Sequence, residues 1–144
     1  MPYRDEMNNI HPLVAILPQV QTNSDTAIVS AIIDTLGYDS LTFAIVTGAV
    51  TDADVTVAIT MDHGDVANLS DAAAVPAANL VGTLALAGFG FADDSESRKV
   101  GYVGPKRYVR LTATPTGNGA GALPIAAVAI LANPSQGPTA NPPV

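Results

Sequence analysis

Apolar residues alternate with small polar ones, position by position, along most of this chain, and a period of two commits it to strands rather than helices. The clearest run is residues 40–48, where Leu41, Phe43 and Ile45 share one face and Thr42, Ala44 and Val46 the other. Val55, Val57, Ile59 and Met61 repeat the pattern against Thr56, Ala58 and Thr60. Between them lies 48–54, GAVTDAD, whose Gly, Thr and Asp are turn formers, so the pair is expected to form a hairpin. Further runs fall at residues 13–20, 27–34, 80–86, 99–103, 107–114 and 125–132, separated by clusters of Gly, Pro, Asn and Asp. The pattern predicts an all-β fold, an antiparallel β-sandwich of about eight strands, with a jelly roll as one form it can take. One helical turn is expected at the Ala-rich 71–75, ended by Pro76.

Residues 98–114 are expected to form a tight hairpin, because Pro105 supplies the fixed φ favoured at the second position of a type I turn in Gly104-Pro-Lys-Arg107. In that register Val100 and Tyr102 share a face with Val109 and Leu111, while Lys106, Tyr108 and Arg110 point to the opposite side. A row of cation, aromatic and cation on an exposed sheet face is a candidate contact surface. The organisation expected is an N-terminal arm at 1–10, a β-sandwich domain at 11–132 and a Pro-rich C-terminal arm at 133–144, whose four prolines cannot complete a sheet ladder. Such ends suit either free tails or arms that order against a neighbouring subunit. Tyr3 and Arg4, in the first arm, join Lys106, Tyr108 and Arg110 as candidate protein-interface residues.

The charges bound the function. All 13 acids lie between Asp5 and Glu96, a stretch without Lys or Arg, and five of the six bases then fall between Arg98 and Arg110. A net charge of −7 argues against holding a phosphate backbone, so no nucleic-acid partner is expected, and a segregated charge suits docking onto another protein. The chain has no cysteine, which removes disulfides, thiolate metal sites and a thiol nucleophile. Its longest apolar run, 125–132, is too short to span a bilayer, and the N-terminus makes a poor signal peptide, so no membrane partner is expected and synthesis is placed in the cytoplasm.

Catalytic constellations are equally sparse. The histidines are His11 and His63, and no G-x-S-x-G elbow occurs. His11, at the start of a strand, is read as structural. Asp62-His-Gly-Asp65 and Asp93-Asp94-Ser-Glu96 each gather acids that could ligate calcium, but neither has the alternating acids and closing Glu of an EF-hand loop, so both are read as solvated turns and no metal is expected. Gly117-Asn-Gly-Ala-Gly121 lacks the Lys-Ser/Thr of a phosphate loop and is read as a flexible hairpin turn. With no Trp and seven aromatics, a sugar-stacking platform is hard to build. The expectation is a non-enzymatic protein without cofactor.

Two stretches, 32–48 (IIDTLGYDSLTFAIVTG) and 99–112 (KVGYVGPKRYVRLT), resemble small proteins encoded among the head genes of tailed phages and prophages, and residues 126–134 are similar too. The likeness covers roughly residues 25–134. It resembles capsid cement or decoration proteins, which implies a virion protein on the outer surface of the capsid, bound to the major capsid protein and to copies of itself as a dimer or trimer. No functional residue is carried over from that resemblance. A neck or tail structural protein, and a glycan-binding β-sandwich for host attachment, are the alternatives.

Overall fold

The computed structural model describes residues 4–144. In chain order the strands are β1 (Ile10–Thr22), β2 (Ile28–Val29), β3 (Ile33–Asp34), β4 (Tyr38–Thr47), β5 (Thr56–Gly64), β6 (Ala73–Ala74), β7 (Leu80–Val81), β8 (Phe89–Gly90), β9 (Ser97–Tyr102), β10 (Tyr108–Thr116) and β11 (Ala122–Pro134), with one short helix, α1 (Leu84–Ala87). They form two antiparallel sheets. One is five-stranded, in the order β1-β11-β4-β9-β7. The other runs β2-β10-β5-β6, with β3 also pairing β10 and β8 pairing β5.

Alternation puts the core between the sheets. Leu41, Phe43 and Ile45 of β4, Val100 and Tyr102 of β9, and Leu123, Ile125, Ala127, Ala129 and Leu131 of β11 bury one layer. Val57, Ile59 and Met61 of β5 and Val109, Leu111 and Ala113 of β10 bury the other. The all-β sandwich expected from the period of two is the observed architecture. The edge strand β1 carries Pro12 and Pro18 and register irregularities at Val14/Ile16 and Ile16/Gln19, which blunt it against further pairing.

The two expected hairpins do not form, because consecutive strands sit in opposite sheets. β4 pairs with β11 and β9, whereas β5 pairs with β10. The 48–54 connection crosses the end of the sandwich: Val50 is buried, its N–H donates to Asp94 Oδ1 at 2.8 Å, and the Thr51 N–H donates to the Ala122 carbonyl at 3.1 Å. Residues 103–107 likewise carry the chain from β9 in one sheet to β10 in the other. Val100, Tyr102, Val109 and Leu111 do all face the core, but from opposite walls. The 117–121 turn is also a crossing between sheets, and it is ordered rather than flexible: Asn118 is fully buried, its N–H donates to Asp25 Oδ1 at 2.7 Å, and its Nδ2 reaches the Gln21 and Ser24 carbonyls.

Three local expectations are corrected. Residues 80–86 are not one strand, because Gly82 at φ +86 ends β7 and Thr83 Oγ1 accepts the Leu86 N–H, capping α1. Residues 71–75 are not helical. The Asp71 carboxylate accepts the Asp65 and Val66 N–H groups instead of capping a turn of its own, and Ala73 and Ala74 pair with His63 and Asp62. Residues 27–34 split into β2 and β3 around buried Ser30, whose N–H donates to the Leu111 carbonyl at 2.8 Å and whose Oγ accepts the Leu111 N–H at 2.9 Å.

Candidate functional site

Four of the five bases that follow residue 97 in the sequence meet the acids that precede it. Arg107 lies beside Asp34 of β3, with Nε to Oδ1 and Nη2 to Oδ2 both at 2.8 Å, a two-pronged contact. Arg110 on β10 stands directly across from Asp62 on β5, their closest approach 3.4 Å. Lys106 Nζ pairs with Asp65, and Arg98 bonds Asp93 at 3.1 Å and Glu96 at 2.6 Å. The guanidinium beside it holds the Asp34 carboxyl below its ordinary value, and Asp65 raises that of Lys106. The segregation of charge along the sequence is therefore undone in space.

Lys106, Tyr108 and Arg110 are brought to one end of the six-stranded sheet. Lys106 lies in the turn before β10, while Tyr108, half-buried, stands at the start of that strand under the Arg107 guanidinium, 5.0 Å from ring centre. Arg4 is exposed in the segment before the 3₁₀ turn, and Tyr3 lies outside the described residues. The terminal segments touch each other: the Thr139 N–H donates to the Asn8 carbonyl at 3.0 Å, and Thr139 Oγ1 donates to the Ile10 carbonyl at 2.6 Å.

The acid-rich loops do structural work. Asp62, His63 and Gly64 belong to β5 rather than to a solvated turn, and His63 is buried with Nδ1 at 2.8 Å from the Tyr102 hydroxyl. Asp93 Oδ2 accepts the Gly90 N–H at 2.8 Å, and Asp94 accepts that of Val50. His11 is buried and stacked on Tyr38 at 5.6 Å. Among the described residues no three His, Asp or Glu side chains converge as metal ligands, and no helix is long and apolar enough to cross a membrane.

The outer faces of the two sheets differ in kind. That of the six-stranded sheet carries Thr56, Thr60, Thr112, Thr114 and Thr116 on β5 and β10, with the Arg110–Asp62 pair on the same face. That of the five-stranded sheet carries Val14, Val20, Val46, Val128 and Ile130. Sequence reasoning had both strand sets but not this contrast, although the outward positions of 40–48 and 125–132 already read Thr, Ala, Val and Ile without a charge.

No protein-family model matches the chain, and no curated protein matches it either. Among solved structures, the PBSX exported protein XepA superposes with a TM-score of 0.54 at 8% identity, over 87% of this chain and 38% of that one. A chain in the structure of infectious bursal disease virus, Gx strain, gives 0.46 at 8% identity, covering 88% of this chain and 32% of the other. The xylan-binding module CBM15 gives 0.42 at 12% identity, over 92% and 95%. The chain thus spans well under half the length of the first two, and its likeness to XepA is one of fold.

Proposed function

We propose that this chain is a non-enzymatic virion structural protein, a capsid cement or decoration protein that stabilises the head of a tailed phage by binding the major capsid protein on its outer surface. The observation that carries the reading is the strand order. With β2 and β3 taken as one strand and the two-residue β7 and β8 set aside, β1-β11-β4-β9 faces β2/β3-β10-β5-β6, and β5 to β6 is the one step that stays within a sheet. That order supports a jelly roll, the two-Greek-key arrangement used by viral capsid and lectin domains. The segments that resemble tailed-phage head proteins lie on neighbouring pairs of its strands in chain order, 32–48 on β3 and β4 and 99–112 on β9 and β10. The turn bearing Lys106, with Tyr108 and Arg110 beside it, and the terminal segments around Arg4 are the proposed contacts with the shell.

Counting the chain against the major capsid protein in purified particles tests this. Comparable copy numbers support a cement role. A few copies at one vertex point to a neck or tail part, and absence from particles ends the virion reading. A glycan array separates the lectin reading, which the chain's lack of Trp makes hard to build. For the contact itself, the clean variant is Lys106→Ala with Tyr108→Ala, which should release the protein from particles. Arg110→Glu would set two carboxylates against each other across β10 and β5, and so would report on folding instead.

A further inference from the structure

Strand register lays out the outer face of the five-stranded sheet in rows. Val14 of β1 stands beside Val128 of β11 and Ala44 of β4; Pro12 stands beside Ile130 and Thr42; Ala126 stands beside Val46; and Val20 stands beside Pro124. Val81 of β7 closes the far margin, next to Gly101. Val14, Val20, Val46 and Val81 are each more than half exposed. None of these rows contains an acid, and the charge they carry is that of Lys99, opposite Ala44 on β9. Small residues, Ala44, Ala126, Thr42 and Gly101, keep the middle low, with open apolar grooves on either side of it, one at Pro18, Val20 and Pro124 and the other at Val81 and Leu86.

A contiguous apolar face of this size on a soluble domain marks a contact surface. Charge selects the occupant. A second copy meeting the six-stranded sheet would have to desolvate the Asp34–Arg107 and Asp62–Arg110 ion pairs, whereas two copies meeting through this face take no acid and no ion pair out of water. The area agrees. At about 3.3 Å per residue and 4.8 Å between strands, β1, β11, β4 and β9 cover a footprint of about 650 Å². Its accessible surface is larger than that projection and approaches the ~800 Å² that each partner contributes to a specific interface.

We propose that two copies of this chain pack face to face through the outer surface of the five-stranded sheet, about a two-fold axis. The two sheets then lie about 10 Å apart, as sheets in a sandwich do, and the valines of each copy fill the grooves of the other. Lys99, near the β9 margin, stays at the wet rim. The pairing is a property of the purified chain and does not depend on the capsid reading.

Sedimentation equilibrium of the purified protein over a dilution series tests it, with a dimer expected at micromolar concentration. Val128→Asp would bury one carboxylate per copy without a partner and should raise the dissociation constant about 100-fold or more. Val46→Lys, at a more exposed position, should act in the same direction, and Thr114→Asp on the other sheet should leave the dimer intact. Circular dichroism confirms that each variant is folded. A wild-type chain that is monomeric throughout, an assembly of another stoichiometry, or a dimer that Thr114→Asp dissociates while Val128→Asp and Val46→Lys do not, overturns the proposal.

Discussion

Tyr102→Phe tests how the two sheets are fastened where β9 passes into β10. Tyr102 is 3% exposed. Its hydroxyl lies 2.8 Å from His63 Nδ1 on the facing sheet, accepts the Lys106 N–H at 3.0 Å and lies 3.2 Å from the Lys106 carbonyl. Phenylalanine keeps the ring and its packing, so the loss is confined to these partners. Leaving a buried donor or acceptor unpaired costs about 1–3 kcal/mol, and with two groups stranded and the phenol's own desolvation recovered the sum is about 2–4 kcal/mol. For a domain of this length that lowers Tm by about 5–12 °C. Thermal and urea unfolding followed by circular dichroism read the change, and His63→Ala with the double variant isolates the coupling between the two side chains. An alkaline arm follows from burial, which raises the Tyr102 phenol above its ordinary value of 10.0. The fold then favours the protonated form. That contribution is complete below pH 10.0 and is lost as pH rises through the raised value, so the variant should show a flatter alkaline limb. A loss below about 0.5 kcal/mol, the size of an ordinary surface change, would refute the fastening argument.

Asp34, held below the ordinary 3.8 by Arg107, contributes stability that is present above that pH and lost as pH falls through the lowered value. Asp34→Asn should therefore flatten the acid limb of a stability–pH curve, by a small amount because the pair is exposed. Gly117→Ala should destabilise by about 1–3 kcal/mol in urea, since Gly117 sits at φ +81 and an added Cβ would lie 2.5 Å from the Asp54 carbonyl oxygen. Calcium and chelator should both leave Tm unchanged, because Asp62, Asp65 and Asp93 are already paired with Arg110, Lys106 and Arg98; a shift of several degrees in a differential scanning trace would restore a metal site.

The period of two was enough to locate the long strands and the core, because burial of one face is a property each strand carries in its own residues. Leu41, Phe43 and Ile45, or Val109 and Leu111, could be placed inward without knowing what they pack against. Pairing is a different matter. Residues 48–54 and 104–107 contain the turn formers of a hairpin, yet in this topology the same residues carry the chain across the end of the sandwich, and nothing local separates the two uses. The 80–86 run failed for a nameable reason: Gly82 and Thr83 were legible as a strand stop and a helix cap, and the apolar residues around them masked that signal. Lys106, Tyr108 and Arg110 could be picked out as a candidate row, but the acids that pair with its cations could not, since Asp65 and Asp62 lie 41 and 48 residues away from Lys106 and Arg110 in the chain.

The excess of acids has a cause inside the fold. The connections at the ends of the sandwich, most of which cross between sheets, leave backbone N–H groups with no ladder to join, and such groups need acceptors. Aspartate supplies them here. Asp5 accepts the N–H of Asn8, Asp25 that of Asn118, Asp34 that of Leu36, Asp52 those of Asp54 and Ala120, Asp71 those of Asp65 and Val66, Asp93 that of Gly90 and Asp94 that of Val50. Each is a charge-assisted bond at a turn, with a short side chain reaching a nearby amide. Negative charge therefore gathers at the two ends of the sandwich, where the loops are, and is absent from the apolar rows of the five-stranded sheet. A chain that must cross between layers so often acquires acidic ends and can leave a sheet face free of charge, and it is that face that another protein surface can meet without desolvating a single carboxylate.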